Sequence, residues 1–360
     1  CTLSDRGAKI IVFCATRMVS VRIWRDREGG RLARGVKYLV TSSRLPPSFV
    51  STPGLRVPAT VRAAFAPPCP PDVAELYTRT LALGHYENFS VVSMLLPRRL
   101  RQDFSNVYAF CRTADDLGDE VGDREVAFNY LERLKEHTYA CYEGKALSPL
   151  FVALVGTIRR HDIPIEPFLD LIDAFQQDQR MDRYRTFAEL VDYCRRSADP
   201  VGRLVLYMCG HRDEERQRLS DRTCTALQLA NFWQDVRRDI VERNRIYIPA
   251  DSMRQFGVSE RQIIEGRCDD RFRRLMQFEV ERTERMFDEG EGLLPMLQWS
   301  VRRHISLFGK GGRAVLDAIR RQQYDTLTHR PALSGWQKGK LVVRAMAACV
   351  TARLMRRQPA

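Results

Sequence analysis

The sequence has 360 residues, of which 44% are hydrophobic and 29% are charged, and this composition is typical of a globular protein. The net charge of +13 is concentrated in residues 1–71, which hold twelve Lys or Arg against three Asp or Glu, so the rest of the chain is only mildly basic and no nucleic-acid partner is expected. Ten dispersed cysteines without a CxxC pair exclude a disulfide framework, and the lack of an apolar run of roughly 18 residues excludes a membrane span.

Residues 1–71 differ from the rest of the chain. They hold eight of the 17 prolines, are rich in Arg and show no sustained hydrophobic period. This pattern is typical of disordered or spurious sequence, and a targeting peptide is the alternative interpretation. We therefore predict a basic N-terminal extension over residues 1–71 and a helical domain over residues 72–360.

From Asp72 onward, apolar residues recur with a helical period almost throughout. The predicted helices span residues 76–83, 100–118, 125–143, 149–161, 165–179, 186–197, 201–209, 216–243, 260–294, 297–307, 312–324 and 335–356. The segment Gly309-Lys-Gly-Gly312 lacks the spacing of a phosphate-binding loop and is predicted to be a turn. Because no stretch alternates as a β-sheet does, we predict a single-domain, all-α helical bundle.

The predicted helix over residues 100–118 ends in an acidic motif. Asp115 and Asp119 are four residues apart and share a face, with Arg112 one turn before Asp115 and Tyr108 another turn back. Two carboxylates at this spacing repel each other, and a Mg²⁺ ion between them would relieve the repulsion, because Mg²⁺ prefers carboxylate, water and phosphate oxygens. For this motif alone, a solvated acidic helix end is the alternative.

The predicted helix over residues 216–243 carries a second polar stripe. Asn231, Asp235 and Asp239 are spaced i, i+4 and i+8, and Gln228 lies one turn earlier. Apolar residues flank the stripe, and carboxylates on such a core helix are costly unless they are paired or bound to metal. We therefore predict that the two motifs face each other and bind a diphosphate through bridging Mg²⁺ ions, which would stabilise it as a leaving group.

The chain from about Asp72 onward resembles the squalene/phytoene synthase family. The resemblance is carried by five ordered segments: His85–Ser90 with Leu95–Pro97, Tyr108–Glu120, Tyr184–Gly202, Gln228–Asp239 and Arg245–Pro249. Within the family, the likeness is greatest to the bacterial hydroxysqualene synthase branch of hopanoid biosynthesis. The resemblance implies an all-α isoprenoid synthase fold with a central apolar tunnel.

The resemblance also implies roles for the matched residues. The expected metal ligands, for two or three Mg²⁺ ions with the substrate diphosphate, are Asp115, Asp116, Asp119, Asp235 and Asp239. The expected substrate-binding residues are His85, Phe89, Arg112, Gln228, Asn231 and Arg245. The expected catalytic residues are Tyr108, Tyr193 and Asn88.

Three departures from the common family pattern favour the hydroxysqualene branch: Glu87-Asn88-Phe89, Asp199-Pro200 and Gln234. In that branch presqualene diphosphate ionises, the cation rearranges and water captures it, without NADPH. Asn88, Tyr193 and Asp199 are candidates for positioning that water.

The resemblance further implies a presqualene diphosphate or farnesyl diphosphate-type substrate, an upstream presqualene diphosphate synthase and a downstream reductase. We expect a cytoplasmic enzyme with peripheral contact at the inner membrane. The alternatives are a squalene, phytoene or presqualene diphosphate synthase, which joins two prenyl diphosphates head to head, and an inactive scaffold subunit. Intact acids at all five aspartate positions disfavour the scaffold.

Overall fold

The computed structural model describes residues 57–84 and 97–332. In these residues the α-helices are α1 Ala59–Ala64, α2 Pro71–Gly84, α3 Arg101–Asp119, α4 Arg124–Tyr142, α5 Pro149–His161, α6 Glu166–Asp178, α7 Phe187–Ser197, α8 Asp199–Met208, α9 Glu214–Arg243, α10 Ala250–Phe256, α11 Glu260–Ile264, α12 Asp270–Gly290 and α13 Trp299–Arg321. Short 3₁₀-helices lie at Arg98–Leu100 and Glu291–Met296, and one isolated bridge joins Arg183 to Ile246. The described part contains no β-strand, which confirms the all-α prediction.

Two large apolar clusters form most of the core, and each surrounds one of the helices that carry an acidic motif. The first cluster is built by α1–α6 and α8 around α3, which is buried along most of its length. The second is built by α7 and α10–α13 around α9, a 30-residue helix that packs most extensively on α12. Each acidic motif therefore lies on the central helix of its own cluster.

The ends of α9 are defined by local chemistry. Asp213 precedes the first turn, and its Oδ1 accepts a hydrogen bond from the Arg216 N–H at 3.0 Å. Asn244 ends the helix in the left-handed conformation at a φ of 53°, and its N–H donates to the Asp239 and Ile240 carbonyls. This ending turns the chain back so that Arg245 lies beside the second motif.

The packed structure begins before Asp72. Val61 and Ala64 of α1 are fully buried in the first cluster, and α1 contacts α3 and α5. The boundary predicted between residues 71 and 72 therefore lies within the fold, because a six-residue helix between prolines is too short to show a period. Residues 1–56 and the predicted helix over residues 335–356 lie outside the described residues.

The C-terminal helices are divided differently from the prediction. The helix predicted over residues 260–294 is interrupted after α11 by Gly266, at a φ of 69°, and restarts at α12, where Asp269 accepts from the Arg271 and Phe272 N–H groups. In contrast, residues 299–321 form one helix, so the turn predicted at Gly309-Lys-Gly-Gly312 is wrong.

The reason lies in the packing at Gly312. A Cβ atom there would overlap the Phe287 ring of α12 and lie 2.8 Å from Leu227 Cδ2 of α9. The glycine permits a close helix crossing instead of breaking the helix.

None of the described helices combines the length and apolar character that a membrane span requires. The seven cysteines in the same residues form no disulfide.

Candidate active site

The two acidic motifs meet at the C-terminal ends of α3 and α9. Arg243, the last residue of α9, lies with Nη2 2.9 Å from Asp119 Oδ2, and Arg245 Nη1 is 3.4 Å from Asp119 Oδ1. The Arg245 backbone N–H donates to the Asp239 carbonyl at 3.1 Å. Two arginines thus join the end of the first motif to the end of the second.

Arg112 organises the first motif. Its side chain is 6% exposed and pairs with Asp115 at 3.3 Å, with Glu120 at 2.9 Å and with Asp116. Thr60 of α1 donates a hydrogen bond to Asp116 from the opposite side. The structure therefore places Asp116 in a network that attaches α1 to α3.

The carboxyl groups of this motif lie in surroundings that disfavour negative charge. Burial raises the pKa of Asp115 well above its usual range, although Arg112 lowers it and Asp119 raises it further. Burial likewise raises the pKa of Asp116 to about 6, against the lowering effect of Arg112 and Thr60. Asp115 Oδ1 is buried and has no hydrogen-bond partner among the described residues. A cation at this point would relieve the cost of ionising Asp115.

The second motif is crossed by the segment that follows α13. Asp235 is buried and pairs with Arg330, whose Nη2 lies 3.3 Å from Asp235 Oδ2. The neighbouring Gln234 donates to the Pro331 carbonyl at 2.6 Å and accepts from Arg330 Nη2 at 3.2 Å. Asp235 therefore has an arginine as its counter-ion in this structure.

The remaining predicted residues of α9 line the same stripe. Gln228 and Asp239 are buried, and Asn231 is half-buried. The Asn231 Nδ2 makes no hydrogen bond within the part of the chain that the structure covers. A buried donor of this kind is available to a substrate oxygen.

An aromatic cluster lies next to the motif ends. Phe232 stacks on Tyr247 with ring centroids 3.7 Å apart, and Tyr193 lies 6.2 Å from Phe232 and 5.5 Å from Tyr184. The Tyr193 hydroxyl donates to Asp178 Oδ2 at 2.8 Å. On α3, Tyr108 is buried one turn before Arg112, and burial raises its pKa.

Asp178 connects the aromatic cluster to the first motif. Arg245 Nη2 donates to the Asp178 carbonyl at 2.8 Å, and Arg245 Nη1 lies 3.5 Å from Asp178 Oδ2. Burial lowers the pKa of Arg245, but the nearby Asp178 and Asp119 charges outweigh this effect and raise it. Asp119, Arg245, Asp178 and Tyr193 thus form one continuous chain of polar contacts.

The predicted metal ligands lie on the two converging helix ends, and four of the five, Asp115, Asp116, Asp119 and Asp235, are paired with arginines. Among the described residues, no three His, Cys, Asp or Glu side chains are grouped closely enough to coordinate one ion. The donor set nevertheless fits Mg²⁺, because it consists of carboxylate oxygens and includes the unpartnered Asp115 Oδ1. His85, Asn88 and Phe89 lie outside the described residues.

Sequence reasoning missed four residues of this site: Thr60, Asp178, Arg243 and Arg330. Arg243 could have been found, because it lies four residues after Asp239 on the same helix. The other three reach the site from distant segments, and no local pattern marks them.

The family profile described as squalene/phytoene synthase matches residues 83–337. Among curated proteins, the phytoene synthase of Arthrospira platensis is 31% identical over 304 residues, which cover 80% of this chain and 94% of the relative. The phytoene synthase of Thermus thermophilus is 32% identical over 265 residues, which cover 74% of this chain and 90% of the relative.

Solved structures agree with these sequence relatives. The crystal structure of squalene synthase HpnC from Alicyclobacillus acidocaldarius is 45% identical to this chain, with a TM-score of 0.68 over 74% of this chain and 99% of that one. A dehydrosqualene synthase in complex with a ligand has a TM-score of 0.70 at 24% identity, over 78% of this chain and 98% of that one, and this match shows the fold alone.

Proposed function

We propose that this chain, which belongs to the squalene/phytoene synthase family and is an isoprenoid synthase, is a hydroxysqualene synthase. It would convert presqualene diphosphate and water into hydroxysqualene and diphosphate. The observation that carries the proposal is the 45% identity to a squalene synthase of the HpnC type across 99% of that protein. The phytoene synthases named above reach only 31% and 32%.

The site has a positively charged side and an aromatic side, and ionisation of a diphosphate ester requires both. When the carbon–oxygen bond breaks, the diphosphate leaves with the electron pair and a carbocation stays behind. Positively charged groups must then face the diphosphate, and a dry aromatic wall must face the carbocation. Arg112 and the arginines at the end of α9 supply positive charge beside the two motifs. The stacked rings of Phe232 and Tyr247 supply an electron-rich wall close to them.

Mg²⁺ bound by Asp115, Asp119, Asp235 and Asp239 would neutralise the diphosphate as it departs. Asp116, whose carboxyl group is held by Arg112 and Thr60, is the fifth predicted ligand of the same set. We assign Asn231 and Gln228 to substrate oxygens on the same helix face.

Capture of the cation by water changes no oxidation level, so no nicotinamide cofactor is required. One water oxygen bonds to carbon and one proton is released. The substrate must come from an enzyme that condenses two farnesyl diphosphates, and the alcohol would go to a reductase. The alternative is head-to-head condensation within this site, which the phytoene synthase relatives favour.

Incubation of the purified protein with presqualene diphosphate and Mg²⁺, without NADPH, tests the proposal by mass-spectrometric product identification. Hydroxysqualene and one diphosphate per turnover are expected. Consumption of farnesyl diphosphate alone, with presqualene diphosphate left intact, would show that the assignment is wrong.

The variant Asp235→Asn tests the metal-binding role. We expect Mg²⁺-dependent diphosphate release to fall by roughly 10²-fold or more, because a charged ligand of the leaving-group metal is lost. Glu242→Gln is the control, since it removes one negative charge from the same helix at an exposed position paired with Arg238. Unchanged turnover in Asp235→Asn would contradict the metal-binding role.

A further inference from the structure

The hydroxyl group of Tyr193 can bind a reacting molecule only as a hydrogen-bond acceptor. A phenol carries one O–H donor and lone pairs that accept. In this structure the hydrogen is donated to Asp178 Oδ2 at 2.8 Å, within a residue pair that is almost completely shielded from solvent. Any further polar contact of the Tyr193 oxygen is therefore one in which the oxygen accepts.

We propose that Asp178 is a positioning residue that fixes Tyr193 as the acceptor for the proton of the water that captures the carbocation. The proposal rests on the hydroxysqualene synthase function. The water oxygen forms the new bond to carbon, and its proton passes to the Tyr193 oxygen. The phenol hydrogen passes to the Asp178 carboxylate, so the products are the alcohol, a neutral tyrosine and a carboxylic acid.

The surroundings of the pair support this arrangement. Asp178 ends α6 and Tyr193 lies in the middle of α7, so the contact joins two helices and holds the phenol in one orientation. Arg245 places a positive charge 3.5 Å from the accepting Asp178 oxygen and links it to Asp119. Burial and the nearby Asp178 carboxylate raise the pKa of Tyr193, so the phenol keeps its hydrogen before the reaction.

The position of Tyr193 fits an oxygen that acts close to the cation. Its ring lies 6.2 Å from Phe232, which follows Asn231 and precedes Asp235 by three residues on α9, and 6.1 Å from Tyr247. A water molecule held by the Tyr193 oxygen would therefore lie near the aromatic wall and near Asp178, which Arg245 links to the first motif.

Two variants separate the roles of the pair. Asp178→Asn keeps an oxygen that can accept from Tyr193, but an amide cannot take up the proton. Tyr193→Phe removes the acceptor and leaves the contact between Asp178 and Arg245 in place. Tyr184→Phe is the matched control, because Tyr184 lies 5.5 Å from Tyr193 and its buried hydroxyl makes no hydrogen bond among the described residues.

The readout is the ratio of alcohol to unhydroxylated hydrocarbon formed from presqualene diphosphate, measured together with diphosphate release. A cation that is not captured loses a proton to give a polyene. We expect the ratio to fall at least about tenfold in Asp178→Asn and in Tyr193→Phe, a change of about 1.4 kcal/mol in relative barriers. Tyr184→Phe should keep the wild-type ratio, and a merely structural role would lower both products in proportion.

The outcomes distinguish this proposal from the proposed function. If the wild-type protein forms alcohol and either Asp178→Asn or Tyr193→Phe keeps the wild-type ratio, the role of the pair is overturned and the function stands. If Asp178→Asn does not fold, Tyr193→Phe decides alone by the same criterion. If the wild-type protein forms no alcohol from presqualene diphosphate, the proposed function is overturned and this inference with it.

Discussion

Because of the close helix crossing at Gly312, we predict opposite effects on stability when two glycines of the same helix are replaced by alanine. Both Gly309 and Gly312 lie inside α13, and replacing either by alanine adds one methyl group. At Gly309 the added Cβ would find no atom within 4 Å. At Gly312 it would overlap the Phe287 ring and crowd Leu227 of α9, next to Gln228 in the second motif.

The two changes therefore have different expected energies. Alanine in a helix interior is favoured over glycine by about 1 kcal/mol, so Gly309→Ala should stabilise the protein by about 0.5–1 kcal/mol. Gly312→Ala is stabilised by the same helix propensity, but the added methyl group overpacks a buried ring, and overpacking typically destabilises a protein by about 1–3 kcal/mol. We expect a net loss of roughly 1 kcal/mol, and at most about 2 kcal/mol, for Gly312→Ala.

Urea unfolding followed by far-UV circular dichroism measures both free energies of unfolding. The midpoints should shift in opposite directions from the wild-type value. Destabilisation by Gly309→Ala would show that residues 309–312 form a turn after all. Equal stabilisation by both variants would refute the close crossing of α13 over α12 at Gly312.

Two further predictions concern buried carboxylates. Burial raises the pKa of Glu279 above the usual 4.5, against the lowering effect of Arg282, so ionisation of this group destabilises the folded protein as pH rises through the folded pKa. Glu279→Gln should therefore increase the free energy of unfolding by about 1 kcal/mol at pH 8 and leave it unchanged at pH 4. A variant less stable than wild type at pH 8 would contradict this. Arg330→Gln removes the counter-ion of Asp235, whose side chain is fully buried, so the metal-free protein should lose about 1–3 kcal/mol of stability even though Arg330 itself is 41% exposed. If Asp235 binds Mg²⁺ as proposed, the ion no longer has to displace an arginine in this variant, so Mg²⁺ should raise its thermal denaturation midpoint by more than it raises that of the wild type. An equal rise in both proteins would contradict competition between Arg330 and Mg²⁺ for Asp235.

Local patterns predicted the helices that carry the chemistry. The 3.6-residue period located α3 and α9 to within a few residues, and the i+3 and i+4 spacings placed Arg112 beside Asp115 and Asp116. These features are encoded over one or two helical turns, which is why a single sequence is sufficient to predict them.

Features that depend on distant segments were not predictable in this way. Glycine is counted as a helix breaker in sequence, but at Gly312 the deciding contact comes from another helix. The partner of Asp235 lies 95 residues away, and α1 is six residues long, so neither carries a periodic signal. No local pattern distinguishes Asp178 from the other acidic residues, because its role depends on the tertiary contact with Tyr193.

The pairing of Asp235 with Arg330 also has a consequence for synthesis on the ribosome. The first apolar cluster, apart from two residues of α8, is complete once α6 has been made, whereas Asp235 meets its counter-charge only after 95 more residues have been added. Enclosing α9 before that point would bury the Asp235 carboxylate without the Arg330 charge, which is costly. The second cluster can therefore close around α9 with this ion pair in place only after Arg330 has been made, so the candidate site is completed later in synthesis than the first cluster.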